Sequence, residues 1–418
     1  MSDPASRDCA ESEAEHSLRM HLAETVPVGA PRKREVLTVA ATVLLGVFAY
    51  GVYLGLPVLL GALADSYHFD PVQTGRLASL ELAGLLLGSI AVANLLREGR
   101  HRPLALCGIA VAMTANLASM YFATLESLYV VRTVAGFGSG LCYGVSMACL
   151  SYSKDPARTS SLFGVGLIVI SSLELYALPL IAREWSMPGI FAALGLAYVI
   201  PLVVVRWLPT RREALPIVAE PETAGTGDTH VALSWLCLLA IAFFNVAVSA
   251  VWAYAERIGA SAQLSATFVA TTLNVCNIAS LFACWLAWRV SRRFGQQRPQ
   301  FFALAATALA LMTWPAVFGE IDYAVHMMVF FQAAAVTSVY QVGIIGVIDA
   351  SGKHAALIPA AQGVGVSIGP VLGGVMFSVG SSTTPLLLGS GTILLLTLGV
   401  YLLVYYQLRR VEPQLAAR

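Results

Sequence analysis

Charge is scarce in this chain. Asp, Glu, Lys and Arg together make up 12% of its 418 residues, against about 25% in ordinary soluble domains. A soluble protein of this length would need far more polar surface, so a water-exposed globule is excluded. The net charge of +1 gives no basic footprint for nucleic acid. Cysteine pairing is missing too. Of seven cysteines, six (Cys107, Cys142, Cys149, Cys237, Cys276, Cys284) lie in apolar segments and none belongs to a CxxC pair. They read as small hydrophobes, which excludes a disulfide framework or a thiolate metal site. There is no GxxxxGK[ST] loop, no HExxH and no metal-spaced Cys/His set. The expectation is therefore no ATP-driven step, no enzyme activity, no cofactor and no metal. The first 31 residues contain no apolar core, so no cleaved signal peptide is expected and the first span acts as the insertion signal.

What the chain has in abundance is long apolar runs. Hydrophobic residues reach 57%, and the mean hydropathy is +0.74. Apolar segments occupy roughly 36–63, 72–96, 103–122, 127–151, 160–183 and 187–207, then 233–257, 264–289, 300–318, 323–348, 354–379 and 384–407. About 20 residues of helix cross the hydrocarbon layer. Runs such as Leu82–Ala93 show no polar alternation, which excludes the strands of a membrane barrel. The pattern predicts an all-α membrane protein of twelve transmembrane helices in two six-helix bundles.

The break at 208–232 carries Pro209, Arg211, Arg212, Pro216 and Pro221 and reads as a linker. The expected organisation is a tail (1–35), an N-terminal bundle (36–207), the linker (208–232), a C-terminal bundle (233–408) and a short tail (409–418). With both termini on the cytoplasmic side, 21 of the 25 Lys and Arg fall inside. The exceptions are Arg76, Arg132, Arg183 and Arg257. That asymmetry predicts cytoplasmic termini, an even number of spans and residence in the cell's inner membrane. The halves also repeat. Lys353 follows Arg158 by 195 positions, and Gly295 follows Gly99 by 196. An internal duplication accounts for both offsets.

Three short motifs lie on this frame. Span 11 contains Gly365-Val-Ser-Ile-Gly369-Pro370-Val-Leu-Gly373-Gly374. Span 4 contains Arg132 with Gly136, Gly138 and Gly140. The link after span 8 contains Arg292-Arg293-Phe294-Gly295, and that after span 2 a shorter Arg97-Glu98-Gly99-Arg100. Topology and motifs together resemble the major facilitator superfamily over about residues 36–408. The span 11 segment is similar to a G-x-x-x-G-P-x-x-G-G signature usually found in span 5 of exporters. The span 4 segment is similar to an R-x-x-x-G-x-G-x-G pattern whose arginine is linked to proton coupling. The loop signature is degraded, because Arg292 stands where the family has an acid. The resemblance implies alternating access by two rocking halves about a central site.

Ionisable groups deep in apolar spans are costly, on the order of 2.5–3.5 kcal/mol by insertion scales, and point to a site. Arg132, Glu174 and Glu81 form the expected proton-coupling set. Glu174 falls opposite Gly369 at the repeat offset, and its depth allows a pairing with Arg132. A fixed structural ion pair is the competing reading. Tyr50, Tyr53, Tyr143, Tyr176, Asn245, Tyr254, Asn274, Asn277, Gln332, Gln341 and Gln362 are the candidate cavity lining. Taken singly, each reads first as hydrogen-bonding glue between helices, and the cavity reading rests on the set. Gly365, Gly369, Pro370, Gly373 and Gly374 are the candidate bending and gating residues, with close helix packing as the alternative. Trp252 and Tyr254 read as interfacial aromatics, while the family resemblance implies a gating role for Tyr254 and Glu256 at the outer end of span 7.

The function expected is secondary active transport of a small organic solute, proton-coupled and leaning to export, by a monomer whose partners are the solute, protons and the bilayer. Uptake of an aromatic or carboxylic acid is the alternative, with Arg132 as the anion contact. A non-transporting membrane sensor or assembly partner is the alternative of another class.

Overall fold

The structure is a computed structural model that describes residues 32–96, 100–122, 124–151, 153, 156–209, 228–348, 354, 357–379 and 382–411. The N-terminal tail up to residue 31, most of the predicted linker and the end of the C-terminal tail lie outside the described residues. So do Arg97, Glu98 and Gly99 of the first loop motif and Lys353.

Helices follow the apolar runs. Span 1 is broken into Arg32–Ala49, Gly51–Leu54 and Leu56–Tyr67; span 2 is Pro71–Leu95; span 3 is His101–Ala118, extended by a tight turn at Ser119–Tyr121; span 4 is Leu125–Ser151. Spans 5 and 6 run together as Pro156–Ala197 and continue through Val199–Val204. Span 7 is Asp228–Ala253 with Ala255–Ser261; span 8 is Ala266–Phe294; span 9 is Gln297–Met312. Spans 10, 11 and 12 are Glu320–Ile348, Ile358–Ser378 and Thr384–Val411. Twelve crossings put residues 32 and 411 on one side of the membrane, here the terminal side; the other is the far side.

Nine stretches among the described residues are long and apolar enough to span, one of them (158–207) holding spans 5 and 6. Span 1 escapes that measure because it is broken, and span 9 because it has 16 residues. A continuous span 1 was the expectation; the structure interrupts it at Tyr50 and Gly55. Spans 5 and 6 part at Ser186, whose φ of 51° and ψ of −156° are a conformation that residues other than glycine rarely adopt.

Local chemistry sets the entries. Asp70 caps span 2: the Gln73 N–H donates to its carboxylate at 2.8 Å, and the Gln73 side chain accepts from the Asp70 N–H at 3.0 Å. Pro71 at the first helical position needs no hydrogen-bonding partner.

Small residues set the packing. Spans 2 and 4 meet along a glycine seam in which Gly136 lies against the Glu81 carbonyl, Gly140 against the Leu85 carbonyl and Gly88 against the Phe137 carbonyl. In lipid such contact replaces the hydrophobic driving force that is absent between apolar helices. On the other face of span 4, Gly138 meets Gly108 and Ala112 of span 3. In the second half, Gly365, Gly369 and Gly373 of span 11 seat on span 7. The outer faces are apolar, as lipid requires: Leu87, Val169 and Leu173 are each 57% exposed.

Candidate functional site

Glu174 and the broken part of span 1 form the centre of the arrangement. Span 5 presents Val165, Val169, Leu173, Tyr176 and Leu180 outward. These positions recur every three or four residues and make one helical stripe. Glu174 lies on the opposite side, among buried Ser171, Leu175 and Leu178. Its carboxylate faces Gly51 and Gly55: a Cβ on Gly51 would come within 2.8 Å of Oε1, and one on Gly55 within 3.1 Å of Oε2. Oε2 is buried and has no hydrogen-bond partner among the described residues. The side chain thus meets bare backbone where span 1 is interrupted.

The internal repeat predicts this placement. Gly51 and Gly55 correspond, at the offset of 195, to Val246 and Ala250 of span 7. Gly369, the counterpart of Glu174, seats against Val246 and Ala250. Span 5 on span 1 therefore reproduces span 11 on span 7. A carboxylate occupies the first interface and a glycine the second.

Aromatic rings gather near the break. Tyr50 lies 5.0 Å from Tyr53 and 5.2 Å from Tyr143, ring centre to ring centre. Tyr143 in turn lies 6.3 Å from Phe163. Trp252 of the other half donates from Nε1 to the Tyr53 carbonyl at 2.8 Å, and its ring stands 5.4 Å from Phe331.

Arg132 lies elsewhere. It is fully buried and bound to Glu81: Nε donates to Oε2 at 3.0 Å, and Nη2 pairs with Oε1. Nη1 donates to Asn116 Oδ1 at 2.7 Å and lies 3.5 Å from Ser119 Oγ. The Phe191 ring covers the guanidinium at 5.2 Å. This is a closed cluster among spans 2, 3, 4 and 6. The pairing of Arg132 with Glu174 allowed by their depths does not occur. An anion contact by Arg132 is likewise displaced, because Glu81 and Asn116 already hold its donors.

The predicted lining residues divide by position. Tyr50, Tyr53 and Tyr143 belong to the aromatic group. Tyr176 does not: it is 68% exposed and sits on the outward stripe of span 5, so its place in the lining is corrected. Asn245 bonds back to its own helix at Ile241. Asn277 crosses between the halves, donating to the Ile168 carbonyl at 3.2 Å and to Ser172 Oγ at 3.3 Å. Gln332 donates to the Cys276 carbonyl at 3.0 Å, leaving Oε1 buried and unpartnered, as is Asn274 Oδ1. Gln341 is buried, and Gln362 half-buried.

Tyr254 is a buried contact of the far side. Its hydroxyl donates to the Pro71 carbonyl at 2.5 Å, its ring stacks 5.5 Å from Phe377, and Gly75 and Gly374 flank its hydroxyl. Close by, Arg257 donates to the Gly61 carbonyl and to Asp65 at 2.7 Å. The Val371 N–H, just past Pro370, donates to Ser79 Oγ at 2.9 Å. These contacts join the halves toward the far side.

Sequence reasoning missed Asn116, Ser119, Phe191, Asp65 and Ser79. Asn116 carried a signal, as an amide within an apolar run. Asp65 and Ser79 carried none, because their partners are almost 200 and 300 residues away.

Solved structures at low identity share the fold. A bacterial homologue of the human lysosomal transporter Spinster, in an inward-facing and unoccupied conformation, matches with a TM-score of 0.73 at 12% identity, over 91% of this chain and 99% of that one. The xylose transporter XylE from E. coli matches at 0.71 and 14%, over 88% and 96%. The nucleoside transporter NupG matches at 0.67 and 12%, over 89% and 99%. No curated protein is matched by sequence. The family profile of the Major Facilitator Superfamily matches residues 41–354, three quarters of the chain, and the chain belongs to that superfamily as a multi-pass membrane transporter.

Proposed function

We propose that this transporter moves a small organic solute by proton-coupled alternating access, out of the cell, with Glu174 as the proton-carrying group. Glu174 carries the reading. It is an ionisable side chain deep in a span, its Oε2 has no partner among the described residues, and it packs on Gly51 and Gly55, where span 1 is interrupted. A partnered carboxylate such as Glu81 has a fixed counter-charge. An unpartnered one becomes neutral by taking up a proton, which leaves it free to give that proton up when water or a solute reaches it.

The export direction rests on the span 11 glycine–proline motif and on cytoplasmic termini, which the Lys and Arg distribution supports. Gly369 and Pro370 act as the flexible point of span 11. Pro370 lacks a ladder N–H, and the next N–H bonds across to Ser79. The relatives of known structure include nucleoside and xylose carriers, one described as a proton symporter. At identities of 12–15% they support the architecture and do not transfer a substrate.

The test is flux in proteoliposomes under an imposed pH gradient. Wild-type protein should drive solute against its gradient, and Glu174→Gln should lose the response to pH. Full pH-driven accumulation by Glu174→Gln would overturn the assignment.

A further inference from the structure

We propose that the solute is an organic monocation, a protonated aromatic amine, which displaces the proton from Glu174. This rests on the transport reading above and adds the charge and class of the cargo.

The chemistry around Glu174 is one-sided. Arg132, a cation at comparable depth, is committed to Glu81 and Asn116. Among the described residues no basic side chain forms an ion pair with Glu174. Several buried polar atoms are left without partners among the described residues, and in spans 5, 8 and the middle of span 10 they are acceptors, whereas Gln341 further along span 10 leaves both Nε2 and Oε1 open. Besides Glu174 Oε2 these acceptors include Asn274 Oδ1 and Gln332 Oε1, and the Gln332 orientation is fixed by its donation to the Cys276 carbonyl. A buried acceptor without a donor carries a desolvation cost that an N–H from a ligand removes. An ammonium supplies both the N–H and the charge. A carboxylate solute supplies neither and would be repelled.

The rings supply the second half of the argument. Tyr50 sits beside Gly51, which touches the Glu174 carboxylate. Its neighbours Tyr53 and Tyr143 stand at 5.0 and 5.2 Å. From the other half, Trp252 holds the Tyr53 carbonyl and brings Phe331 with it. The faces of such rings attract cations and pack against an apolar body. A carboxylate against Gly51, the chain neighbour of Tyr50, together with this group of rings fits an amine with an aromatic or bulky apolar substituent.

The exchange balances simply. Protonated Glu174 and the cation meet, the carboxyl O–H breaks, the proton leaves to water, and the carboxylate pairs with the ammonium. One positive charge enters as one leaves.

The probes are three molecules with one phenyl ring and the same three-carbon chain, ending in ammonium (3-phenylpropylammonium), hydroxyl (3-phenylpropanol) or carboxylate (3-phenylpropionate). Binding to the purified full chain is followed by calorimetry in weakly buffered solution, with proton release read in parallel. The ammonium should bind at least about tenfold more tightly than the alcohol, and the carboxylate should not bind. Each bound ammonium should release about one proton where Glu174 is protonated. Glu174→Gln should lose the ammonium preference and the proton release with its melting temperature unchanged. Tyr50→Leu should weaken ammonium binding several-fold and leave the alcohol unaffected.

Preference for the alcohol or the carboxylate, or binding of none of the three, overturns the inference. So does ammonium binding without proton release. The transport reading fails separately: flux that ignores an imposed pH gradient defeats it even when ammonium binds as described. Proton-driven flux of a neutral or anionic solute defeats the cation inference alone.

Discussion

Arg132 closes on Glu81, 51 positions earlier in the chain, and the pair is sealed by Asn116, Ser119 and the face of Phe191. Both side chains are almost wholly buried, at 0% and 1% exposure. Losing one partner leaves the other charge unpaired in a low-dielectric interior, which costs about 3–5 kcal/mol in comparable buried pairs. The two partners are not equivalent. A guanidinium cannot shed its proton, whereas a carboxyl left alone can take one up and become neutral. Glu81→Gln should therefore lower the melting temperature in detergent more than Arg132→Met does. Glu174→Gln, which breaks no pair, should leave it near the wild-type value. An equally severe loss for Glu174→Gln would make Glu174 a structural residue and remove it from the site.

The glycine seam of spans 2 and 4 depends on one contact more than the others. A Cβ on Gly136 would run into the backbone carbonyl of Glu81. A carbonyl cannot rotate aside as a side chain does, so the helices must part, and the ion pair to Arg132 is stretched with them. Gly136→Ala should cost about 1–3 kcal/mol, the range of overpacked interiors. Gly164→Ala is the matched control, because nothing lies within 4 Å of its added Cβ. Thermal unfolding of the two variants should separate them clearly, and equal stability would mean that the seam is looser than the structure shows.

The fold was legible because a bilayer leaves few choices. Residues such as Leu82–Ala93 can only be a spanning helix, and the 195-residue offset exposes the duplication. That offset even places Glu174, since its counterpart Gly369 packs on the residues equivalent to Gly51 and Gly55. Pairing was not legible. Depth counts distance along a helix and ignores rotation, so Arg132 and Glu174 looked compatible although they face different neighbours. Tyr176 failed for the same reason. It lies two residues from Glu174, and two steps of about 100° carry it to the lipid side. The break in span 1 did leave a signal, because Gly51, Gly55 and Pro57 interrupt an otherwise apolar run, but hydropathy alone passes over it.

Tyr254 links span 7 to spans 2 and 11 through its hydroxyl and its ring. It donates to the Pro71 carbonyl of span 2 while its ring stacks on Phe377 of span 11. Tyr254→Phe keeps the stacking and loses the hydrogen bond, a difference of about 1 kcal/mol for a neutral pair. If the bond exists when the far side is closed and breaks when it opens, the closed population should fall several-fold. Spin labels replacing His68 and Gln263, at the far ends of spans 1 and 7, should report a larger long-distance fraction. An unchanged distance distribution would mean that the hydroxyl bond persists in both states.

Arg257 makes two contacts across the halves at the far side, and their burial differs. Asp65 is exposed, its side chain 72% open to solvent, so the ion pair is worth about 0–1 kcal/mol and weakens with salt. The Gly61 carbonyl receives the same guanidinium nitrogen within the packed face of span 1. Losing a charged donor to a neutral carbonyl costs more, about 1.5–3 kcal/mol. Asp65→Ala should therefore leave far-side closure nearly intact, with a small effect that vanishes in high salt. Arg257→Ala should open the far side substantially at any salt concentration. The same pair of spin labels reads both variants. If Asp65→Ala opened the far side as fully as Arg257→Ala, the exposed pair would be the latch and the carbonyl contact incidental.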